Sequence, residues 1–173
     1  MTKTAFALAA HPDDIEIMMA GTLALLRQRG WDLHYMTLAN GSCGSVSTGP
    51  AETARIRTAE CRRAAGVLGA TCHEPLVDDL MIYYTPDLVA RVCSILRDAR
   101  PSVLLLPSPT DYMEDHTNTS RIGVTAAFCR GMPNFAVAPP AEPYGEDIAV
   151  YHAMPVGLCE PLGGPVRPHV CVD

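Results

Sequence analysis

The sequence predicts an α/β fold, a mostly parallel sheet with helices on both faces. Three observations predict it. Short apolar stretches alternate with longer stretches of helical period. Glycines stand where several of the helical stretches should stop. Two of the apolar stretches lead straight into turns rich in acids and histidine. In folds of this class ligands sit beyond the carboxyl ends of the strands, so those turns are where chemistry is expected.

The elements follow in order. Thr4 to Ala10 reads as a short apolar strand. Ile15 to Arg29 reads as a helix, with Ile15, Met18, Met19, Thr22, Leu23 and Leu26 on one face and Gly30 as its stop. Leu33 to Leu38 is a second strand. Asn40 to Pro50, rich in Gly, Ser and Thr, is a loop. A second helix spans about Ala51 to Leu68 and ends near Gly69. Thr71 to Leu76 is a candidate third strand. Pro86 suits a first helical turn, and Leu88, Val89, Val92, Ile95 and Leu96 continue a helical face. Val103 to Leu106 is a strand closed by Pro107, Thr119 to Cys129 is helical, and Ile148 to His152 is a further strand. From Met132 onward prolines are frequent and extended loops are expected. Val170 to Val172 reads as the start of another strand, which points to truncation after Asp173. This alternation implies right-handed crossovers and a Rossmann-like sheet in one domain over residues 1–173.

Composition excludes several classes. The 173 residues are 48% apolar and 18% charged, which fits a folded domain with a sizeable core. A net charge of -6 disfavours nucleic acid and anionic membranes as partners. No segment is apolar enough for a membrane span, and no leader pattern precedes the first strand, so a cytoplasmic protein is expected. The seven cysteines are scattered and form no Cys-x-x-Cys pair. That argues against a disulfide framework and against a thiolate metal site.

The chemistry lies in two clusters. His11-Pro12-Asp13-Asp14 puts an imidazole and two carboxylates in one turn between a strand and a helix. Pro12 stiffens the turn, and the positive end of the helix favours ionised aspartates. Asp111 to Asn118 supplies a distant imidazole, His116, with Asp115 beside it as a group that orients a neighbour. Two ligands close together and one far away is a common plan for a catalytic zinc site, since three protein ligands leave a position for water. As bland readings, Asp, Pro and Asn are ordinary turn residues.

His11-Pro12-Asp13-Asp14, with Ala9-Ala10 before it and Gly21-Thr22-Leu23-Ala24 after it, resembles the opening motif of the LmbE-like, or PIG-L, family of N-acetylglucosaminyl deacetylases. Leu38-Ala39-Asn40-Gly41, Ile56-Arg57 with Glu60, Ala64-Ala65, Leu68-Gly69 and Asp115-His116 are similar to later family motifs. The resemblance implies zinc-dependent N-deacetylation of an N-acetylglucosamine-type sugar or conjugate. It implies a zinc site of His11, Asp14 and His116, with Asp13 as general base. Iron or another divalent ion suits the same N/O ligands. Members of the family often assemble, so a homo-oligomer is among the expectations.

The pattern breaks at Met113, where many members carry a second histidine three residues before the last zinc ligand. His152, at the end of a late strand, is the candidate substitute, against a surface role or one that supports a neighbouring group. Arg57 is a candidate substrate contact, against a solvent-facing helix charge. Asp78 and Asp79 follow the third strand and are candidates for sugar hydroxyls, against a loop cap; Asp79 is carried forward. Asn118 supports His116 or the substrate, or caps a helix. The candidate set is thus Asp13, Asp115 and His152 for catalysis, Arg57, Asp79 and Asn118 for substrate, and His11, Asp14 and His116 for metal. His34, His73, His169, Tyr83 and Tyr84 read as structural or exposed. Rival readings are a zinc amidase for a non-sugar N-acyl compound and a sugar-binding relative without turnover.

Overall fold

The computed structural model describes residues 3–172. Five strands form one parallel sheet in the order β3-β2-β1-β4-β5. They are β1 (Thr4–Ala9), β2 (Asp32–Thr37), β3 (Thr71–Cys72), β4 (Val103–Leu106) and β5 (Ala149–His152). The helices are α1 (Asp14–Met18), α2 (Ala20–Gln28), α3 (Pro50–Leu68), α4 (Pro86–Ala99) and α5 (Glu114–Cys129).

The period-2 alternation of β1 divides the core in two. Phe6, Leu8 and Ala10 face a cluster with Val89, Val92 and Leu96 of α4 and Ile122 and Ala126 of α5. Ala5, Ala7 and Ala9 face the other side, with Ile15, Leu23, Cys61 and Ala65 from α1, α2 and α3. Helices therefore cover both faces of the sheet. Burying each large apolar side chain contributes about 1.5–3 kcal/mol.

The strand order positions the site. The chain runs from β1 outward through β2 to β3, then returns to lay β4 on the other side of β1. The loops that leave β1 and β4 thus emerge side by side where the winding reverses, and a crevice opens between them. Pairing of Ala5 with Val103 and Ala7 with Leu105 sets these loops level.

Four expectations are corrected. The helix expected over Ile15 to Arg29 is broken at Met19 (φ -131°, ψ -18°) into α1 and α2. Ile15, Met19 and Leu23 all remain buried, so the apolar period runs through the break and hides it. The third strand has only two residues, because Pro75 has no N–H to continue the ladder. The segment rejoins through an isolated bridge between Ala39 and Val77. Helix α5 starts at Glu114, five residues before the expected Thr119. Its first turns bury Asp115, His116 and Asn118 where an apolar period would place apolar side chains. Val170 to Val172 forms no strand among the described residues.

Candidate active site

The loop after β1 carries three of the candidate residues in four positions. Asp13 precedes α1 with φ 115°, a conformation that costs a non-glycine residue about 1–3 kcal/mol and clusters at functional sites. The turn sends the Asp13 and Asp14 side chains to different surroundings. Asp14 turns inward and is 8% exposed. Its Oδ2 accepts the backbone N–H groups of Ala10 (3.2 Å) and His11 (2.8 Å). Its Oδ1 lies 3.2 Å from His116 Nε2. Asp13 keeps 56% of its side chain exposed and accepts a hydrogen bond from Arg57 Nη2 at 2.6 Å.

Each imidazole is backed by a carboxylate from the β4–α5 segment. His11 Nε2 lies 2.9 Å from Asp115 Oδ2, and His116 Nδ1 lies 3.1 Å from Asp111 Oδ2. These contacts orient the rings and fix which nitrogen each turns toward Asp14. His11 Nδ1 is 3.7 Å from Asp14 Oδ2. Asp111 is the residue that sequence reasoning left without a role. Its position five residues before His116 was the available signal, but a run of polar residues did not reveal which one backs the ring.

One atom from each of His11, Asp14 and His116 falls within 4.8 Å of the others. The fit to a cation rests on an orphan. His116 is fully buried, yet its Nε2 makes no hydrogen bond, since Asp14 Oδ1 lies close by without hydrogen-bond geometry. Leaving a buried polar atom unpaired is costly, and a divalent ion shared with Asp14 and His11 would satisfy it. The buried carboxylates of Asp14, Asp111 and Asp115 supply the negative charge such an ion needs.

The electrostatics agree. Burial works against a charged Asp14, but the His116 imidazole 3.2 Å away, with the backbone N–H of His11, outweighs it and holds the carboxyl below its ordinary value. Burial likewise opposes charge on His116, but Asp14 and Asp111 push its pKa up to about 9. Asp13 behaves oppositely. Partial burial raises it, Asp14 adds to the rise, and Arg57 offsets only part.

A cleft of about 320 Å³ opens over these groups. Its walls include His11, Asp13, Asp14, Arg57, Asp79, Leu80 and Met113. Arg57 also donates to the Pro12 carbonyl and to Glu60 (2.9 Å), so it braces the turn that carries Asp13. Asp79 reaches the cleft wall, but its two oxygens accept the backbone N–H groups of Gly41 (2.7 Å) and Cys43 (2.9 Å). Asn118 is buried behind the wall and donates to the Ile82 carbonyl at 2.9 Å. His152 lies outside the cleft lining. Its Nδ1 is 2.9 Å from the Pro107 carbonyl and 3.2 Å from Ser120 Oγ, which ties β5 to β4 and α5. Of the nine candidates, the geometry brings together His11, Asp13, Asp14, Arg57, Asp79, Asp115 and His116. It sets Asn118 and His152 apart.

Residues 6–127 match the model of the PIG-L family, described as GlcNAc-PI de-N-acetylase. The chain belongs to the PIG-L family. The PIG-L match runs from β1 nearly to the end of α5 and so takes in both clusters. A curated relative, the diacetylchitobiose deacetylase of Thermococcus kodakarensis, is 31% identical over 139 residues, which are 77% of this chain and 52% of that protein. The chain thus spans about half the length of this relative. Among solved structures, N,N'-diacetylchitobiose deacetylase from Pyrococcus horikoshii, complexed with its inhibitor MPG, is similar at TM-score 0.80 and 26% identity. That match covers 87% of this chain and 60% of that one. The 4-carboxy-2-hydroxymuconate hydratase of Pseudomonas putida KT2440 shares the fold at TM-score 0.85 and 24% identity, over 99% of this chain and 72% of that one. One PIG-L-like fold therefore accompanies differently named enzymes, and the reaction must be argued from the site. No helix among the described residues is long and apolar enough to cross a membrane.

Proposed function

We propose that this chain is a metal-dependent N-deacetylase acting on an N-acetylglucosamine-type sugar or conjugate. The observation that carries the reading is the convergence of His11, Asp14 and His116 around an unpaired Nε2, with the exposed carboxylate of Asp13 next in the chain. The relatives from Thermococcus and Pyrococcus, both named as deacetylases of diacetylchitobiose, support the substrate class.

His11, Asp14 and His116 would hold the ion, with zinc as the reference metal for such a ligand set. A bound divalent ion supplies Lewis acidity, which can lower the pKa of water to about 7. The protein's own residues do the rest. Asp13 is open to the cleft and serves as general base toward water entering there. Arg57 holds Asp13 in place through its side chain and through the Pro12 carbonyl. Asp115 and Asp111 keep the two imidazoles oriented. Asp79 fixes the Gly41–Cys43 turn that forms one cleft wall. The experiment is metal analysis of the purified protein together with acetate release from a panel of acetylated amino sugars. One equivalent of divalent metal and acetate release lost on chelation are expected. Full turnover in a metal-free preparation would end this reading.

Met113 and Leu80 favour a second reading. Both line the cleft, and Leu80 keeps 65% of its surface exposed, so one wall is apolar where a sugar would want hydrogen-bonding groups. An amidase for a non-sugar N-acyl compound fits that wall. Acetate or acid release from non-sugar amides alone, in the same panel, decides for it.

A further inference from the structure

Breaking the amide leaves an amine for the cleft to hold, and Met113, which lines the cleft, has no group that could accept an N–H strongly. His152 is outside the cleft. The neighbour of Met113 is different. Glu114 opens α5, lines the cleft and is exposed. The other carboxylates there already have partners. Asp13 pairs with Arg57, Asp14 holds two backbone N–H groups and faces His116, Asp79 holds two backbone N–H groups, and Asp115 faces His11. Glu114 takes part in no ion pair among the described residues. Among the described residues its one side-chain hydrogen bond comes from Asn118 Nδ2, 3.4 Å from Oε1. That amide nitrogen is pinned by its other N–H to the Ile82 carbonyl, so it holds one Glu114 oxygen and leaves the other to the cleft.

From this we infer that Glu114 is the contact for the amine side of the substrate. The inference rests on the deacetylase reading. In amide hydrolysis the oxygen of water stays with the acyl carbon. The C–N bond breaks with its electron pair going to nitrogen, which gains the proton that Asp13 took from the water. The nitrogen thereby passes from a neutral amide to an amine that readily becomes cationic. A carboxylate accepting an N–H from that nitrogen favours the later species over the earlier one. Asn118, which does not touch the cleft, acts as a positioning residue for Glu114.

Glucosamine and N-acetylglucosamine serve as probes, titrated calorimetrically against the metal-loaded protein at neutral pH. The wild type should bind the amine more tightly than the acetamide. Glu114→Gln should weaken glucosamine binding about tenfold, the size of a lost charge-assisted hydrogen bond. It should leave N-acetylglucosamine within about twofold. Asn118→Ser should give an intermediate loss for glucosamine alone. Equal weakening of both probes, or no change in either, overturns the assignment, as does a wild type that does not bind glucosamine. Discrimination by Glu114 in a protein that releases no acetate would sink the deacetylase reading while leaving the amine contact standing.

Discussion

Asp115 Oδ2 lies 2.9 Å from His11 Nε2, and the same oxygen accepts the backbone N–H of Leu80 at 2.8 Å. One buried carboxylate thus ties the loop after β1 to the segment before α4. The Leu80 N–H holds Asp115 in place, and Asp115 holds His11.

This relationship predicts the behaviour of Asp115→Asn. The variant keeps a similar shape but loses the charge that backs the imidazole. Replacement of such a partner typically lowers metal affinity about 10–100-fold. Competition against a chromogenic chelator measures it. Unchanged affinity would mean that Asp115 only braces Leu80.

The general base is tested separately from the metal. Asp13 is absent from the His11–Asp14–His116 group, so Asp13→Asn should keep metal stoichiometry intact. Turnover should fall about 10²–10⁴-fold, the usual contribution of a positioned base. A variant that loses metal and turnover together would move Asp13 into the ligand set.

Much of this site was legible before the fold was known, for identifiable reasons. β1 and β4 are runs of apolar residues, so the acidic turns that follow them could be placed on one rim. The sheet then did what parallel topology requires. What stayed hidden depends on contacts across many residues. Asp79 has the polarity of a sugar contact, and nothing local says that its oxygens are spent on Gly41 and Cys43, nearly forty residues away. His152 ends a strand at the correct edge, but its ring turns to the Pro107 carbonyl. The start of α5 was missed because its first turns bury polar side chains for the site instead of apolar ones for the core.

Two glycines should respond oppositely to alanine. Gly41 has φ 81°, and a Cβ there would sit 2.7 Å from Arg57 Cβ, on the bracing side of the Asp13 turn. Gly41→Ala should therefore lower stability by about 1–3 kcal/mol and also reduce turnover by displacing Arg57. Gly21 lies within α2, and a Cβ there meets nothing within 4 Å. Gly21→Ala should stabilise by about 0.5–1 kcal/mol, which raises Tm by roughly 1–4 °C. Thermal melts of both variants check the pair, and a fall in Tm for Gly21→Ala would contradict the geometry.

A histidine pair far from the cleft should set the acid limit of stability. His34 of β2 places Nδ1 2.8 Å from Nε2 of His73, and both rings stack on Phe6, with centroids 5.6 Å and 5.1 Å away. Burial lowers the pKa of His73 to about 4, with His34 adding to the fall. Burial lowers His34 as well, and Asp32 opposes part of that. In the unfolded chain a histidine titrates near about 6.5. Between pH 6.5 and 4 the unfolded chain therefore binds more protons than the folded one, so stability falls as pH falls through this window. The stabilisation is complete above pH 6.5. Melts of chelated protein, in which metal release plays no part, should show Tm dropping by several degrees from pH 7 to pH 5. His73→Gln keeps a hydrogen-bonding group against His34 but cannot take up a proton in this range. Its Tm should depend less steeply on pH over the same interval, and an equally steep slope would show that other groups set the limit.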